Sequence, residues 1–133
     1  MKGKIRKMSV YVNVHATENE DLILSSLRSK FGDGELRTEK LTGHYGDEIK
    51  RLTLVFTKGV AEDVTLRLLN ELGAFEKGYV LSEILKGLDR NQLFIRLDKQ
   101  KLVTGMLELD GDKQIKIEVD FYSKKDAKEF LTK

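Results

Sequence analysis

Residues 9–15, SVYVNVH, alternate with a period of two: Val10, Val12 and Val14 fall on one side, and Ser9, Tyr11 and Asn13 on the other. Successive side chains of a β-strand point to opposite faces, so this stretch predicts a half-buried strand with one apolar and one wet face. A strand of that kind needs a sheet covered on one side. The rest of the chain supplies both the partners and the cover.

The period changes at once. HATENEDLILSSLRSKFGDG places Leu24, Leu27 and Phe31 at helical spacing, with Thr17 and Glu20 as an expected capping box and Gly32 and Gly34 as the stop. ELRTEKLT and IKRLTLVFT then predict two strands, the second with Leu52, Leu54 and Phe56 on one side. GVAEDVTLRLLNELG predicts a helix through Ala61, Val64, Leu68 and Leu72, with Glu62 and Asp63 suited to the positive end of its dipole. YVLSEILKGLD adds a short helix on Val80, Ile84 and Leu88. QLFIRLD returns to alternation, with Leu93, Ile95 and Leu97 inward. DKQKLVTG predicts a helical turn between Asp98 as N-cap and Gly105 as C-cap. MLELDGDKQIKIEVDFY predicts a hairpin turning at Asp110-Gly111, with Ile115, Ile117, Val119 and Phe121 buried, and a last helix opens at Ser123.

Strands that follow one another directly favour antiparallel pairing, and the helices are then free to cover one face. The expected fold is α+β: a two-layer sandwich of a mostly antiparallel sheet with helices on one side, spanning residues 1–133 as a single domain. Neither a repeat nor a linker divides it.

The chain has no cysteine, which excludes disulfides and thiolate metal sites. It has no apolar run near the length needed to cross a bilayer and no apolar stretch after its basic start, so the expected address is the cytoplasm. A net charge of +2 is too small to identify a polyanion partner by itself. Its distribution carries more: Lys2, Lys4, Arg6 and Lys7 crowd the start, and Lys124, Lys125, Lys128 and Lys133 the other end. These are either solvated ends or a basic arm that touches phosphates.

Three stretches, VHATE at 14–18, GHYGD at 43–47 and LFIRLDKQ at 93–100, occur in an order and spacing that resemble an archaeal family described as RNA-binding, exosome-subunit-like proteins. The likeness runs from about Ser9 to Val119. It implies a fold similar to the large-subunit ribosomal protein that holds 5S RNA, and an association with RNA processing and the exosome. It carries over no catalytic residues.

Candidate site residues follow from the same stretches. His15 either hydrogen-bonds across the strand end or contacts nucleic acid. His44 and Tyr45 stand between Gly43 and Gly46; Tyr45 folds back over the sheet end, or both rings are offered as planes on which unpaired bases stack. Arg96 alternates with Ile95 and Leu97 and so faces away from the core. Lys99 and Gln100 lie on a first helical turn, which is either a plain surface helix start or, with Arg96 and Lys101, a phosphate dock.

His15, His44 and Lys99 are residue types that metal-independent RNA cleavage would use, but nothing in the sequence brings them together. The DGD at 110–112 is explained by a hairpin turn and lacks the other ligands of a calcium loop. A Walker-type phosphate loop and a nucleophile elbow are both missing. The expectation is a non-catalytic RNA-binding protein without metal or cofactor, in which Lys and Arg neutralise phosphates and Tyr45, His44, Tyr11 or Phe94 meet bases. The alternative is a protein-interaction module docking an exosome component, another RNA-processing protein or a second copy of the chain.

Overall fold

The half-buried strand predicted from SVYVNVH is the middle of the sheet. β1 (Ile5–His15) pairs on one side with β3 (Glu48–Thr57) and on the other with β5 (Ile115–Phe121); β2 (Glu35–Thr42) and β4 (Gln92–Leu97) form the edges. The order is β2-β3-β1-β5-β4, and every neighbouring pair is antiparallel. The computed structural model describes residues 3–42, 46, 48–71, 78, 91–105 and 115–131. The expected helix on Val80, Ile84 and Leu88, the Asp110-Gly111 turn and the His44-Tyr45 pair lie outside the described residues.

Helices α1 (Glu20–Phe31), α2 (Lys58–Glu71), α3 (Lys99–Val103) and α4 (Lys124–Leu131) send their apolar side chains to one face of this sheet. Met8, Val10, Val12, Leu52, Leu54, Ile95, Ile117 and Val119 meet Ile23, Leu27, Phe31, Ala61, Val64, Leu68, Leu102, Ala127 and Phe130 in a single core. The α+β sandwich with helices on one side is therefore the observed fold. Between Ile5 and Lys7 the pairing of β1 with β5 slips by a residue. This β-bulge lets Ile5 and Met8 both enter the core, although strict alternation would place them on opposite faces.

The helix starts repay attention. α1 is capped by Asn19, not by a Thr17–Glu20 box: the Asn19 side chain accepts the N–H of Leu22 at 3.1 Å. The reason is the tight turn before it, where the Glu18 N–H donates to the His15 carbonyl at 2.9 Å and takes up the residues expected to open the helix. Glu20 then becomes the first helical residue, and its carboxylate reaches Lys50 on β3 at 2.8 Å. α2 begins at Lys58, so Glu62 and Asp63 sit a turn further in than the dipole argument expected, and Glu62 instead accepts the backbone N–H of Lys4 at 3.3 Å. Asp98 and Ser123 are caps as expected, accepting from Lys101 N–H at 3.0 Å and Asp126 N–H at 3.1 Å. Gly32 ends α1 at φ +107, a backbone angle that needs glycine, and Gly34 stands where a Cβ would lie 2.8 Å from the Phe56 ring.

One polar clip ties these parts together. The Lys99 ammonium, only 8% exposed as a residue, donates to Glu18 Oε1 at 2.9 Å and to the Asn13 carbonyl at 3.1 Å. The same carboxylate oxygen accepts the His15 N–H at 2.9 Å. Burial pushes the Glu18 carboxyl upward, but the His15 amide and the Lys99 ammonium outweigh it and hold the group below the ordinary carboxylate range. A depressed carboxyl contributes stability that is complete above its unfolded value and is lost as pH falls through its folded one. Glu18→Gln is therefore expected to cost about 1–3 kcal/mol at neutral pH. The difference between the two proteins in denaturant melts should begin to narrow below about pH 4, where the unfolded carboxyl takes up its proton, and close as pH falls through the lower folded value. A constant difference across that range would remove Glu18 ionisation from the account.

Candidate nucleic-acid interface

The strand alternation that buries Val10 and Val12 leaves a second face to the sheet. Lys7, Ser9, Tyr11, Asn13 and His15 of β1 share it with Arg51, Thr53 and Val55 of β3, and with Lys116 and Glu118 of β5. From the edges, Arg37 and Glu39 of β2 and Phe94 and Arg96 of β4 join them. Most of these residues are at least partly exposed, whereas Ser9 and Val55 are buried. A groove of about 240 Å³ lies on this face, lined by Tyr11, Arg37, Arg51, Thr53 and Val55 among others.

The cross-strand register sorts this face into rows. Arg37 lies opposite Thr53, Thr53 opposite Tyr11, Tyr11 opposite Lys116, and Lys116 opposite Arg96. One unbroken row across all five strands thus carries three cations, a phenol and a hydroxyl, and no carboxylate. Carboxylates stand in the rows beside it. On one side is Glu35–Val55–Ser9–Glu118–Phe94; on the other, Glu39 faces Arg51, which faces Asn13. The Arg51 Nε donates to Asn13 Oδ1 at 3.3 Å, and Arg37 pairs with Glu35 at 3.5 Å in the open. Exposed pairs like the latter are weak and yield easily to a competing anion.

Lys116 and Arg96 are the unusual members. They are like charges placed directly across a strand pair, an arrangement that destabilises a sheet. The Arg96 Nε is buried and has no acceptor among the described residues. The Lys116 ammonium lies 5.1 Å from the centre of the Phe94 ring and 5.9 Å from that of Tyr11, within cation–π range of both. This corner has positive charge in excess, a donor without an acceptor, and two aromatic rings. An anion would satisfy all of it.

The residues singled out from sequence divide into two groups. Arg96 is on the open face, as its alternation indicated, together with Tyr11 and Phe94. His15, Lys99, Gln100 and Lys101 gather instead at one end of the sheet. Thr42 and Glu48, the strand residues on either side of positions 43–47, pair at that same end. His15 is exposed there with its backbone tied to Glu18. Lys99 has its ammonium engaged with Glu18 and Asn13, and the start of α3 is already faced by the Asp98 carboxylate. Lys99 is thus placed as a structural tie, and the phosphate-dock reading loses the residue nearest its centre. Gln100 and Lys101 are exposed on the following turn. Sequence reasoning missed Lys116, Arg37 and Thr53. Alternation shows that Lys116 faces away from the core, but only register reveals that it stands between Tyr11 and Arg96. At the chain's basic start, the Lys4 ammonium pairs with Glu129 and Asp126 of α4.

Residues 7–121 match the model of a protein family described as RNA binding. The chain belongs to that family. Among solved structures, this RNA-binding-family chain is similar to a DUF54 protein from Archaeglobus fulgidus at 28% identity and a TM-score of 0.79, covering 97% of this chain and 98% of that one. It also resembles a DUF54 protein from Sulfolobus solfataricus (24% identity, TM-score 0.71, 95% of each chain). A third likeness is to a DUF54 protein from Methanothermobacter thermautotrophicus (20% identity, TM-score 0.75, 96% and 98%). The last two, at low identity, speak for the fold alone. No curated protein matches the chain.

The chain thus belongs to a family described as RNA binding, and one face of its sheet carries a row of cations without a carboxylate. Among the described residues no group of three His, Cys, Asp or Glu side chains is placed to hold a metal ion, and no helix is long and apolar enough to cross a membrane. If Arg96 and Lys116 are kept opposed for binding and not for folding, Arg96→Gln should leave stability unchanged or raise it by roughly 0.2–1 kcal/mol at low salt. That gain should shrink as salt screens the repulsion. A clear loss of stability in chemical denaturation would instead make Arg96 a structural residue.

Proposed function

We propose that this chain is a non-catalytic RNA-binding protein that receives RNA on the open face of its sheet. The observation that carries the reading is the carboxylate-free row Arg37–Thr53–Tyr11–Lys116–Arg96. Its cations neutralise phosphates, and Tyr11 and Phe94 offer ring faces to bases. His15, Gln100 and Lys101 at the sheet end, with His44 and Tyr45 in the adjoining loop, extend the contact surface beyond the row. The work is cytoplasmic and close to RNA processing, with an exosome component as a protein partner. That partner is implied by the resemblance of VHATE, GHYGD and LFIRLDKQ.

Binding through phosphates releases counterions, so log affinity falls with log salt at a slope of about −0.7 for each phosphate neutralised on a single strand. The three cations of the row alone predict a slope of about −2. A salt titration with a labelled RNA oligonucleotide measures it directly, and a flat titration would remove the row as the binding surface. For the loop, Tyr45→Ala is expected to weaken RNA binding by about 1–3 kcal/mol while leaving the melting temperature unchanged. A large fall in melting temperature with intact binding returns Tyr45 to a structural role.

A second reading is favoured by β2. It is an edge strand with no strand beside its outer edge among the described residues, and strand addition by another chain there suits an adaptor or a homodimer. Mixing the purified protein with an exosome preparation, before and after complete RNA removal, separates the two. An association that survives without RNA supports the adaptor; one lost with the RNA supports the binder.

A further inference from the structure

We infer that the ligand of the open face is a single unpaired RNA strand laid across the five β-strands along the basic row, and not a duplex. The inference rests on the RNA-binding reading above and narrows it to one class of RNA.

The first argument is the width of the positive band. Residues on the same face of a strand recur every roughly 6.6 Å, so the rows beside the basic one lie only about that far away. One of them holds Glu35 and Glu118 and no cation. The other sets Glu39 against Arg51, with no net charge gained from that pair. A duplex presents two backbones separated by a groove. With one backbone seated on the row, the second finds no other row on this face with more than one cation among the described residues. A single strand meets only the row.

The second argument is length and direction. Neighbouring strands stand about 4.8 Å apart, so the row from Arg37 to Arg96 runs roughly 19 Å, the reach of a few nucleotides. Thr53 and Tyr11 place a hydroxyl and a phenol between the terminal cations, and the polar character is continuous along the path.

The third argument is the rings. Tyr11 sits at the centre of the row and Phe94 one position from Arg96, and both are partly exposed. Ring faces are useful to bases that are free to leave a stack, and base–aromatic stacking is a device of single-strand binders. In the free protein the Lys116 ammonium lies close to both rings, at 5.9 Å and 5.1 Å. A phosphate arriving between Lys116 and Arg96 draws that ammonium to itself, satisfies the buried Arg96 Nε, and opens the two ring faces to the flanking bases. Lys116 is thus a placeholder that is exchanged for the ligand.

The test uses the intact chain with a labelled oligouridine strand and, separately, a blunt RNA duplex of equal length, in anisotropy titrations at matched salt. The single strand should bind at least about tenfold more tightly. Phe94→Leu and Tyr11→Leu should each weaken strand binding by about tenfold and leave duplex binding unchanged, while Tyr11→Phe retains the wild-type affinity. Lys116→Gln should make the salt slope for the strand shallower by about 0.7. Circular dichroism melts establish that each variant is folded, and the comparison of strand with duplex on the unmodified chain decides the matter should either leucine variant fail to fold. Equal or tighter duplex binding, or leucine variants that bind the strand normally, would overturn the single-strand inference while leaving the RNA-binding reading in place. Absence of binding to both RNAs at low salt would overturn that reading as well.

Discussion

The antiparallel register of β1 against β3 and β5 is the constraint from which the rest of the molecule follows. It sets Val10 between Leu54 and Ile117 on the covered side and, one residue later, Tyr11 between Thr53 and Lys116 on the open side. Because side chains alternate with a strict period of two, a slip by one residue would carry the whole apolar set to solvent. Burial of the Val10 face therefore holds the basic row in line. The apolar core does not touch the row, yet it determines which side chains stand next to each other there.

The open face is built at some expense to the fold. Opposed cations repel, an arginine nitrogen lies buried without an acceptor among the described residues, and the Ser9 hydroxyl is buried at 1% exposure between Val55 and Glu118. A sheet selected for stability alone would place opposite charges or apolar pairs at such positions. At the strand ends the pattern reverses. There Lys99, Glu18, the His15 amide and the Asn13 carbonyl satisfy one another, and a buried ammonium is tolerable because it has a carboxylate and a carbonyl around it. Two lysines on neighbouring elements thus serve opposite ends: one closes the structure, the other leaves a demand open.

Much of this was legible in the sequence, and the part that was not has a physical reason. Alternation alone identified the strands, the inward residues and the outward direction of Tyr11 and Arg96. Helical spacing identified α1 and α2, and Ser123 marked the start of α4, although Ile23 and not Leu24 takes the buried place at the start of the α1 stripe. Capping failed at Thr17 because Thr17 and Asn19 are both competent caps, and the choice was made by a turn hydrogen bond between Glu18 and His15 that local sequence does not announce. The tie made by Lys99 was hidden for a related reason. Its partner Glu18 lies 81 positions away, so only the tertiary fold shows that the ammonium is occupied. The row itself is a property of strand order, which no single-strand pattern encodes.

The bulge between Ile5 and Lys7 has a consequence for how the molecule breathes. By turning Ile5 inward opposite Phe121, it brings Lys4 beside the far end of the chain, where its carbonyl accepts the Tyr122 N–H at 3.1 Å and its ammonium meets Glu129 of α4. The beginning of the first strand and the closing helix are thereby laced into one seam, so the start of β1 and α4 are expected to open together as one cooperative unit. That opening lies at the end of β1 remote from Tyr11. Hydrogen exchange at the seam can therefore be fast while the amides beneath the five-strand path remain protected.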